Sequence, residues 1–251
     1  MIASLPMYWR PETAHMWHAF WAEVQRAAPE LNLPDLTPPE AIPDPWTDHW
    51  LCDDLALSAT CGLPFRAALK DRVTYIGTLD YGLERSAGRY HSLVIRPVPA
   101  TGDPTPPEGL RLAYNQSDSH SGWAVTQHAA PFSALPRFAE VIETGSHAAS
   151  LAALAEGRAD IAYIDAVTWR LLERYDPAAE QMHVHGQSIV TPGHALIAAK
   201  GTDPAPLRRA LTTAVQSFTP DDPMAMGGPL SFHILDLQDY YAVPIPKPPA
   251  A

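Results

Sequence analysis

The sequence predicts an α/β protein of two units, each a mainly parallel sheet flanked by helices. Short β-rich runs alternate with helical runs, and this order is typical of a doubly wound parallel sheet. Two proline-dense stretches, residues 34–46 and 97–107, interrupt the alternation because proline excludes regular structure. With 251 residues, the chain is long enough for two units of about a hundred residues each.

The elements of the first unit follow from the spacing of apolar residues. Met16, Phe20 and Val24 recur on one helical face, which predicts a helix over 14–27. The β-rich runs predict strands, and one further helical run separates two of them. The expected strands are 2–7, 55–60, 73–78 and 90–96, and the second helix is 64–69.

The second unit repeats this order after the second proline-dense stretch. Its expected strands are 110–114, 138–143 and 159–164, and its expected helices are 146–156 and 166–175. Gly157 lies where a helix carboxyl terminus favours glycine. The chain is then extended over 185–199, helical over 204–218, and expected to be loose over the terminal residues 244–251.

Charge and hydropathy exclude several classes of partner. There are 17 basic and 28 acidic residues, and the net charge of −11 disfavours nucleic acid. No apolar run approaches the 18 or more residues that span a bilayer, so no membrane insertion is expected. The first residues lack the pattern of a secretory signal, which predicts the cytoplasm for the chain as written, or the periplasm if a signal was removed.

Residues 113–123 are the strongest candidate for a binding site. An apolar strand leads into Ser119, Ser121 and Gly122, followed by sequence compatible with a helix. The first turn of a helix presents unpaired N–H groups and a positive dipole, so it can bind a tetrahedral anion, and serine hydroxyls add neutral donors. The alternative is that these serines only cap a helix, which contributes about 1 kcal/mol each.

The sequence predicts neither a metal or cofactor site nor an enzyme. His183 and His185 share one face of a strand, but no third ligand at matching spacing accompanies them. Cys52 and Cys61 lack the close pairing of zinc sites and bracket a strand, which separates them beyond the reach of a disulfide. Asp118 lies beside Ser119, His120 and Ser121, but no Gly-x-Ser-x-Gly nucleophile elbow occurs.

Four segments resemble a known family in order and spacing between about residues 110 and 200. They resemble its Ser-x-Ser-Gly turn, its Gly-Ser-His-x-x-Ser helix start, the strand after that helix, and the Pro-Gly-His of its returning segment. These segments are Ser119-His120-Ser121-Gly122, Thr144-Gly145-Ser146-His147-Ala148-Ala149-Ser150, Gly157-Arg158-Ala159-Asp160-Ile161-Ala162-Tyr163-Ile164-Asp165 and Pro192-Gly193-His194. The family is that of the phosphate, phosphite and phosphonate substrate-binding proteins of ABC transporters.

The resemblance implies a two-lobe type 2 periplasmic-binding-protein fold whose lobes are joined by two hinge strands. Lobe 1 would comprise residues 1–90 and 193–251, and lobe 2 residues 91–192. The implied function is reversible binding of a small phosphorus oxyanion or organophosphonate in the inter-lobe cleft, for an ABC-type uptake system. The implied partners are a small anionic or zwitterionic ligand and an ABC-transporter permease.

The resemblance also implies the binding residues. In lobe 2, Ser119, His120, Ser121 and Gly122 would hold the ligand's oxygens, His147 would add a donor, and Asp165 would accept from an amino group. In lobe 1, the implied residues are Tyr8, Cys61 and Gly62. Three alternatives stay open: His147 as a solvated residue at a helix start, Asp165 as a helix cap, and Tyr8 as a core residue.

Two other functions remain compatible with the sequence. Some cytoplasmic enzymes share the two-lobe fold, although no clear acid–base pair is present here. A cytoplasmic sensor, whose ligand changes its contacts with another protein, is the second. Turnover of a bound metabolite would favour the enzyme, and ligand-dependent capture of a partner would favour the sensor.

Overall fold

A computed structural model describes residues 1–84, 87–98, 109–132 and 134–249. The chain folds into two units: unit 1 comprises Met1–Arg89 and Pro192–Ala242, and unit 2 comprises Tyr90–Thr191 and Val243–Ala251. The expected boundaries, 90/91 and 192/193, each differ by one residue from the observed boundaries at 89/90 and 191/192. The terminal segment, expected in lobe 1, is instead part of unit 2.

Twelve strands and seven α-helices occur in the described part of the chain. The strands are β1 (Ile2–Ser4), β2 (Leu55–Thr60), β3 (Val73–Asp80), β4 (Arg89–Tyr90), β5 (Ser92–Pro97), β6 (Arg111–Tyr114), β7 (Glu140–Glu143), β8 (Ile161–Asp165), β9 (Met182–Gln187), β10 (Thr191–Pro192), β11 (Ala195–Ala199) and β12 (Ser231–His233). The helices are α1 (Ala14–Ala27), α2 (Trp46–Trp50), α3 (Gly62–Ala67), α4 (His147–Ala155), α5 (Ala166–Tyr175), α6 (Pro204–Ser217) and α7 (Leu237–Tyr241).

Unit 1 contains a mixed five-stranded sheet in the order β1-β2-β11-β3-β12. β1 and β2 are parallel, whereas β11 is antiparallel to both β2 and β3. The sheet therefore differs from the mainly parallel sheet expected from the sequence. The reason is that β11 comes from the returning part of the chain and inserts between two strands of the first part.

Unit 2 contains a second five-stranded sheet, ordered β7-β6-β8-β5-β9. β6 is parallel to both β7 and β8, whereas β5 is antiparallel to β8 and β9, so this sheet is mixed too. Side chains alternate between two buried clusters: Ala113 packs with Leu151 and Trp169 of α4 and α5, and Leu112 packs with Trp123. Because β7, β6 and β8 run in one direction, the loops that follow them emerge at the same edge of the sheet.

Sequence periodicity located the longer helices and strands well, but it missed several short ones. The bounds predicted for α1, β2 and α5 agree with the structure, and Gly157 follows α4 with a φ of +70°. The structure adds α2, β12 and α7, which were not predicted. In the second proline-dense stretch, 97–107, residues 99–107 lie outside the described part of the chain.

Candidate functional site

Three parallel strands bring the predicted residues of unit 2 together. The turn with Ser119, Ser121 and Gly122 follows β6, His147 begins α4 after β7, and Asp165 ends β8. Ligands of open α/β sheets bind beyond the carboxyl ends of strands. The order of the sheet, with β6 between β7 and β8, therefore creates the candidate site.

The turn itself is not the start of an α-helix, so that prediction is wrong. After it the chain forms only a short 3-10 turn, Ala124–Gln127. The Gly122 N–H donates to Ser119 Oγ at 3.1 Å, and the Ala124 N–H donates to the Ser119 carbonyl at 3.0 Å. These two amides are therefore bonded within the turn and are not available to a ligand.

Tertiary packing explains why the turn replaces the helix. A Cβ on Gly122 would lie 2.0 Å from Asn115 Oδ1, so the turn approaches the end of β6 more closely than any other residue type allows. The next residue, Trp123, is buried, with its ring centroid 5.2 Å from that of Tyr114. These contacts fix the turn against β6.

Ser121, His147 and Asp165 form a contiguous polar group. Ser121 Oγ lies 2.8 Å from His147 Nε2, and the same nitrogen lies 3.6 Å from Asp165 Oδ2. Ser119 Oγ is 3.5 Å from Ser121 Oγ. The side chains implied by the resemblance are thus adjacent in space, although 46 residues of chain separate Ser119 from Asp165.

The His147 imidazole is nearly buried rather than solvated. Its side chain is 11% exposed, which overturns the alternative of a solvated residue at a helix start. Burial lowers the pKa of His147 below its usual value, and the nearby Asp165 carboxylate only partly opposes this effect. The ring is therefore neutral at pH 7 and offers a single N–H. Its Nδ1 atom is buried and has no hydrogen-bond partner among the described residues.

Asp165 caps helix α5, as the alternative interpretation of this residue expected. Its Oδ1 atom accepts hydrogen bonds from the backbone N–H groups of Val167 and Thr168 at 3.1 and 2.9 Å. The side chain is buried, and Oδ2 is the oxygen that faces His147. Capping therefore occupies one carboxylate oxygen and orients the other toward the site.

His120, in the middle of the turn, contacts two short strands of the chain. It is buried, its Nε2 atom is 2.9 Å from Thr191 Oγ1, and its ring centroid is 6.0 Å from that of Tyr90. These neighbours belong to β10 and β4, the short strands at which the chain enters and leaves unit 2. His120 therefore contacts both of these strands, and its direct contact with a ligand, which the resemblance implied, stays a prediction.

Of the three residues implied in unit 1, Tyr8 lies in the turn after β1, whereas Cys61 and Gly62 lie together at the start of α3. Tyr8 is buried, which fits the core alternative, and its ring centroid is 4.7 Å from that of Tyr81 and 5.0 Å from that of His194. Cys61 precedes α3 and Gly62 is the first residue of that helix. Cys61 and Cys52 are both free thiols.

Two serines that the sequence analysis did not single out hold the turn in place. Ser92 Oγ donates to the Ser121 carbonyl at 2.8 Å, and Ser188 Oγ accepts from the Ser92 N–H at 2.9 Å. Both serines are buried. Ser92 lies in β5, distant in sequence from the turn, and no local motif marks it.

We expect the free energy of unfolding to fall in acid, partly through His147. A histidine whose folded-state pKa is lowered contributes stability above its unfolded-state pKa of about 6.5, and this is lost as the pH falls toward the folded value. Urea unfolding of wild type and His147→Gln at pH 7.5 and 5.5 measures the effect. The loss between the two pH values should be smaller in His147→Gln.

Burial also lowers the pKa of His49, His91 and His185, so the variant should keep part of the pH dependence. His18→Gln, on the exposed face of α1, is the matched control. Its loss of stability between pH 7.5 and pH 5.5 should equal that of wild type. An equal loss in His147→Gln and wild type would contradict the expectation.

Two further features of the described residues bear on the site. No group of three or more His, Cys, Asp or Glu side chains within them is arranged to hold a metal ion. None of their helices has the length and hydropathy needed to cross a bilayer.

Comparison with solved structures establishes the fold. PhnD1 from Prochlorococcus marinus, in complex with methylphosphonate, superposes with a TM-score of 0.71 at 12% identity, over 97% of this chain and 95% of that one. XAC2383 from Xanthomonas citri, bound to chloride ion, gives a TM-score of 0.65 at 13% identity, with the same coverage. These likenesses confirm the mixed α/β, two-lobe periplasmic-binding-protein fold.

A third solved structure agrees, and a family model extends the match to sequence. The binding protein component of an ABC phosphonate transporter from Pseudomonas aeruginosa has a TM-score of 0.59 at 15% identity, over 84% of this chain and 73% of that one. No curated protein matches the chain. The family model described as "ABC transporter, phosphonate, periplasmic substrate-binding protein" matches residues 74–228. The chain therefore belongs to the family of periplasmic substrate-binding proteins of phosphonate ABC transporters.

Proposed function

We propose that the chain binds a small phosphorus oxyanion or organophosphonate reversibly through Ser119, Ser121 and His147. The observation that carries the proposal is the convergence of these three neutral donors beyond the parallel strands β7, β6 and β8. The family supports a small-molecule ligand, and the related PhnD1 is bound to methylphosphonate. Tyr8, Cys61 and Gly62 remain the proposed contribution of unit 1.

The hydrogen bond between Ser121 and His147 supports a way in which the site would receive an oxyanion. Ser121 Oγ and His147 Nε2 are 2.8 Å apart and form a hydrogen bond with each other. A phosphonate oxygen between them can accept from both groups, so that neutral donors replace the water around the anion. Hydrogen bonds to charged groups are worth about 1.5–3 kcal/mol each, so such donors hold an anion despite the net charge of −11.

Asp165 gives this site a preference for ligands that also carry a positive group. Its second oxygen, Oδ2, which does not cap α5, lies 3.6 Å from His147 Nε2, beside the proposed position of the anion. A carboxylate at this distance attracts an ammonium group and repels a second negative charge. We therefore propose that Asp165 favours a zwitterionic aminoalkyl phosphonate over a dianion.

The same geometry argues for binding without chemistry. A Ser-His-Asp triad needs serine on one imidazole nitrogen and aspartate on the other, so that the ring takes the serine proton while the aspartate orients it and stabilises the imidazolium. Here Ser121 and Asp165 both face Nε2, and Nδ1 is bonded to neither. We infer that the protein is not an enzyme and that the ligand leaves unchanged.

The family supplies the proposed partner and location. A substrate-binding protein of this family implies an ABC-transporter permease as the protein that receives the ligand. Its description as periplasmic supports the periplasm, one of the two compartments that the sequence left open.

Calorimetric titration tests the proposal directly. We expect at least one of phosphate, phosphite, methylphosphonate and 2-aminoethylphosphonate to bind saturably to one site, and sulfate serves as the matched anion without phosphorus. The recovered ligand, analysed by mass spectrometry after incubation, should be unchanged. Absence of binding by all four phosphorus compounds would contradict the proposal, and conversion of the ligand would favour an enzyme.

A further inference from the structure

The carboxyl-terminal segment, residues 243–249, is docked on unit 2, contrary to the loose tail expected from the sequence. The indole N–H of Trp123 donates to the carbonyl oxygen of Lys247 at 2.8 Å. Trp123 is buried, and it directly follows Gly122 in the candidate site. The Trp123 side chain therefore connects the tail to the turn that carries Ser119 and Ser121.

The sequence of the segment restricts it to an extended conformation. It reads Val-Pro-Ile-Pro-Lys-Pro-Pro, so each of its seven residues is a proline or precedes one. Proline fixes its own φ near −65° and confines the preceding residue to the β or polyproline II region. Such a segment loses little conformational entropy on docking, and its carbonyl groups remain strong acceptors.

The burial pattern of the segment matches a polyproline II helix lying on a surface. Val243, Pro246 and Pro249 are half-buried, whereas the residues between them are exposed: Pro244, Ile245, Lys247 and Pro248. A spacing of three places the half-buried side chains on one edge of a helix with three residues per turn. One edge of the segment therefore faces the protein.

An aromatic side chain whose N–H binds a carbonyl of a proline-rich strand is a general mode of peptide recognition. Trp123 supplies this group here, and its ring packs on Tyr114 at the end of β6. Because Trp123 is covalently next to Gly122, a contact that fixes the indole also restrains the turn that carries Ser119 and Ser121.

We propose that Trp123 is the centre of a proline-recognition surface, that residues 243–249 are its built-in ligand, and that the docked segment holds the Ser119–Trp123 turn in place. The docking of residues 243–249 on Trp123 does not require the phosphorus ligand proposed above, so the two proposals are tested separately.

Nuclear magnetic resonance of the indole N–H groups tests the docking. The seven tryptophans give separate signals in ¹⁵N-labelled protein, and Trp123→Phe identifies one of them by its loss. We compare the full chain with a chain that ends at Ala242. The Trp123 signal should move on truncation, and the backbone amide signals of Ser119, Ser121 and Gly122 should move with it.

Two proline variants of the full chain make the test specific to the docked edge. Pro246→Glu places a charge on the half-buried edge and should shift the Trp123 signal toward its position in the truncated chain. Pro244→Glu introduces the same change on the exposed edge and should leave the signal near its original position. The synthetic peptide Val-Pro-Ile-Pro-Lys-Pro-Pro, added to the truncated chain at millimolar concentration, should return the Trp123 signal toward its position in the full chain.

Three results would overturn the proposal. An unmoved Trp123 signal on truncation would show that the segment is not bound there. Equal shifts in Pro246→Glu and Pro244→Glu would contradict the docked edge. A moved indole signal with unchanged amide signals for Ser119, Ser121 and Gly122 would show that the segment docks without restraining the turn.

Discussion

Replacing Ser121 by alanine is expected to cost most of the affinity for a phosphonate. Ser121 Oγ lies 2.8 Å from His147 Nε2 and 3.5 Å from Ser119 Oγ, at the centre of the three proposed donors. The change removes one hydrogen bond to a charged ligand, worth about 1.5–3 kcal/mol, so the dissociation constant should rise roughly ten- to 150-fold. Titration of both proteins with the ligand that binds wild type gives the value.

Ser117→Ala is the matched control for Ser121→Ala. Ser117 precedes the same turn, but it is exposed. Its removal should leave the dissociation constant within about twofold of wild type, because surface substitutions of this kind change free energies by less than about 0.5 kcal/mol. If Ser121→Ala bound as tightly as wild type, the turn would not be the binding site.

Gly122→Ala is expected to impair both stability and binding. An added Cβ would lie 2.0 Å from Asn115 Oδ1 and 3.2 Å from the Asn115 backbone nitrogen, so either the Asn115 side chain must shift or the turn must move away from β6. Overpacking of this kind costs about 1–3 kcal/mol. Chemical unfolding should show this loss, and calorimetry should show weaker binding because Ser119 and Ser121 move with the turn.

A second substitution tests whether the collision with Asn115 causes the loss. Asn115 Oδ1 is buried and has no hydrogen-bond partner among the described residues, so Asn115→Ala removes the obstructing atom without breaking a bond to it. We therefore expect Gly122→Ala to cost less stability when it is added to Asn115→Ala than when it is added to wild type. Equal losses in the two backgrounds would rule out this collision as the cause.

The sequence pattern indicated the turn after β6, and the resemblance to the family implied His147 and Asp165; all of these residues lie at or after the ends of strands. Apolar runs ending in polar residues at Ser119, His147 and Asp165 mark three loops, and parallel strands place such loops at one edge. The contact of Ser121 with His147 bears out their adjacency. Their role in binding a ligand stays a prediction.

The turn after β6 shows where local sequence was an insufficient guide. The sequence after Gly122 is compatible with a helix, but the close approach of Gly122 to Asn115 and the burial of Trp123 impose a turn. His120 likewise gave no sequence signal for its contact with Thr191, which is 71 residues away in the chain. Side-chain partners this distant depend on how the strands are arranged, and one sequence does not encode that arrangement in any local pattern.

The sequence by itself determined the α/β class, the bounds of α1, β2 and α5, and the residues around which the site forms. Hydrophobic periodicity and proline placement are local properties of the chain, so they can be interpreted without a structure. Only the tertiary structure decided that β11 inserts antiparallel between β2 and β3, that Asp165 caps α5 with one oxygen while the other faces His147, and that the proline-rich tail docks on Trp123. Each of these depends on pairing between segments distant in sequence, where packing overrides local preference.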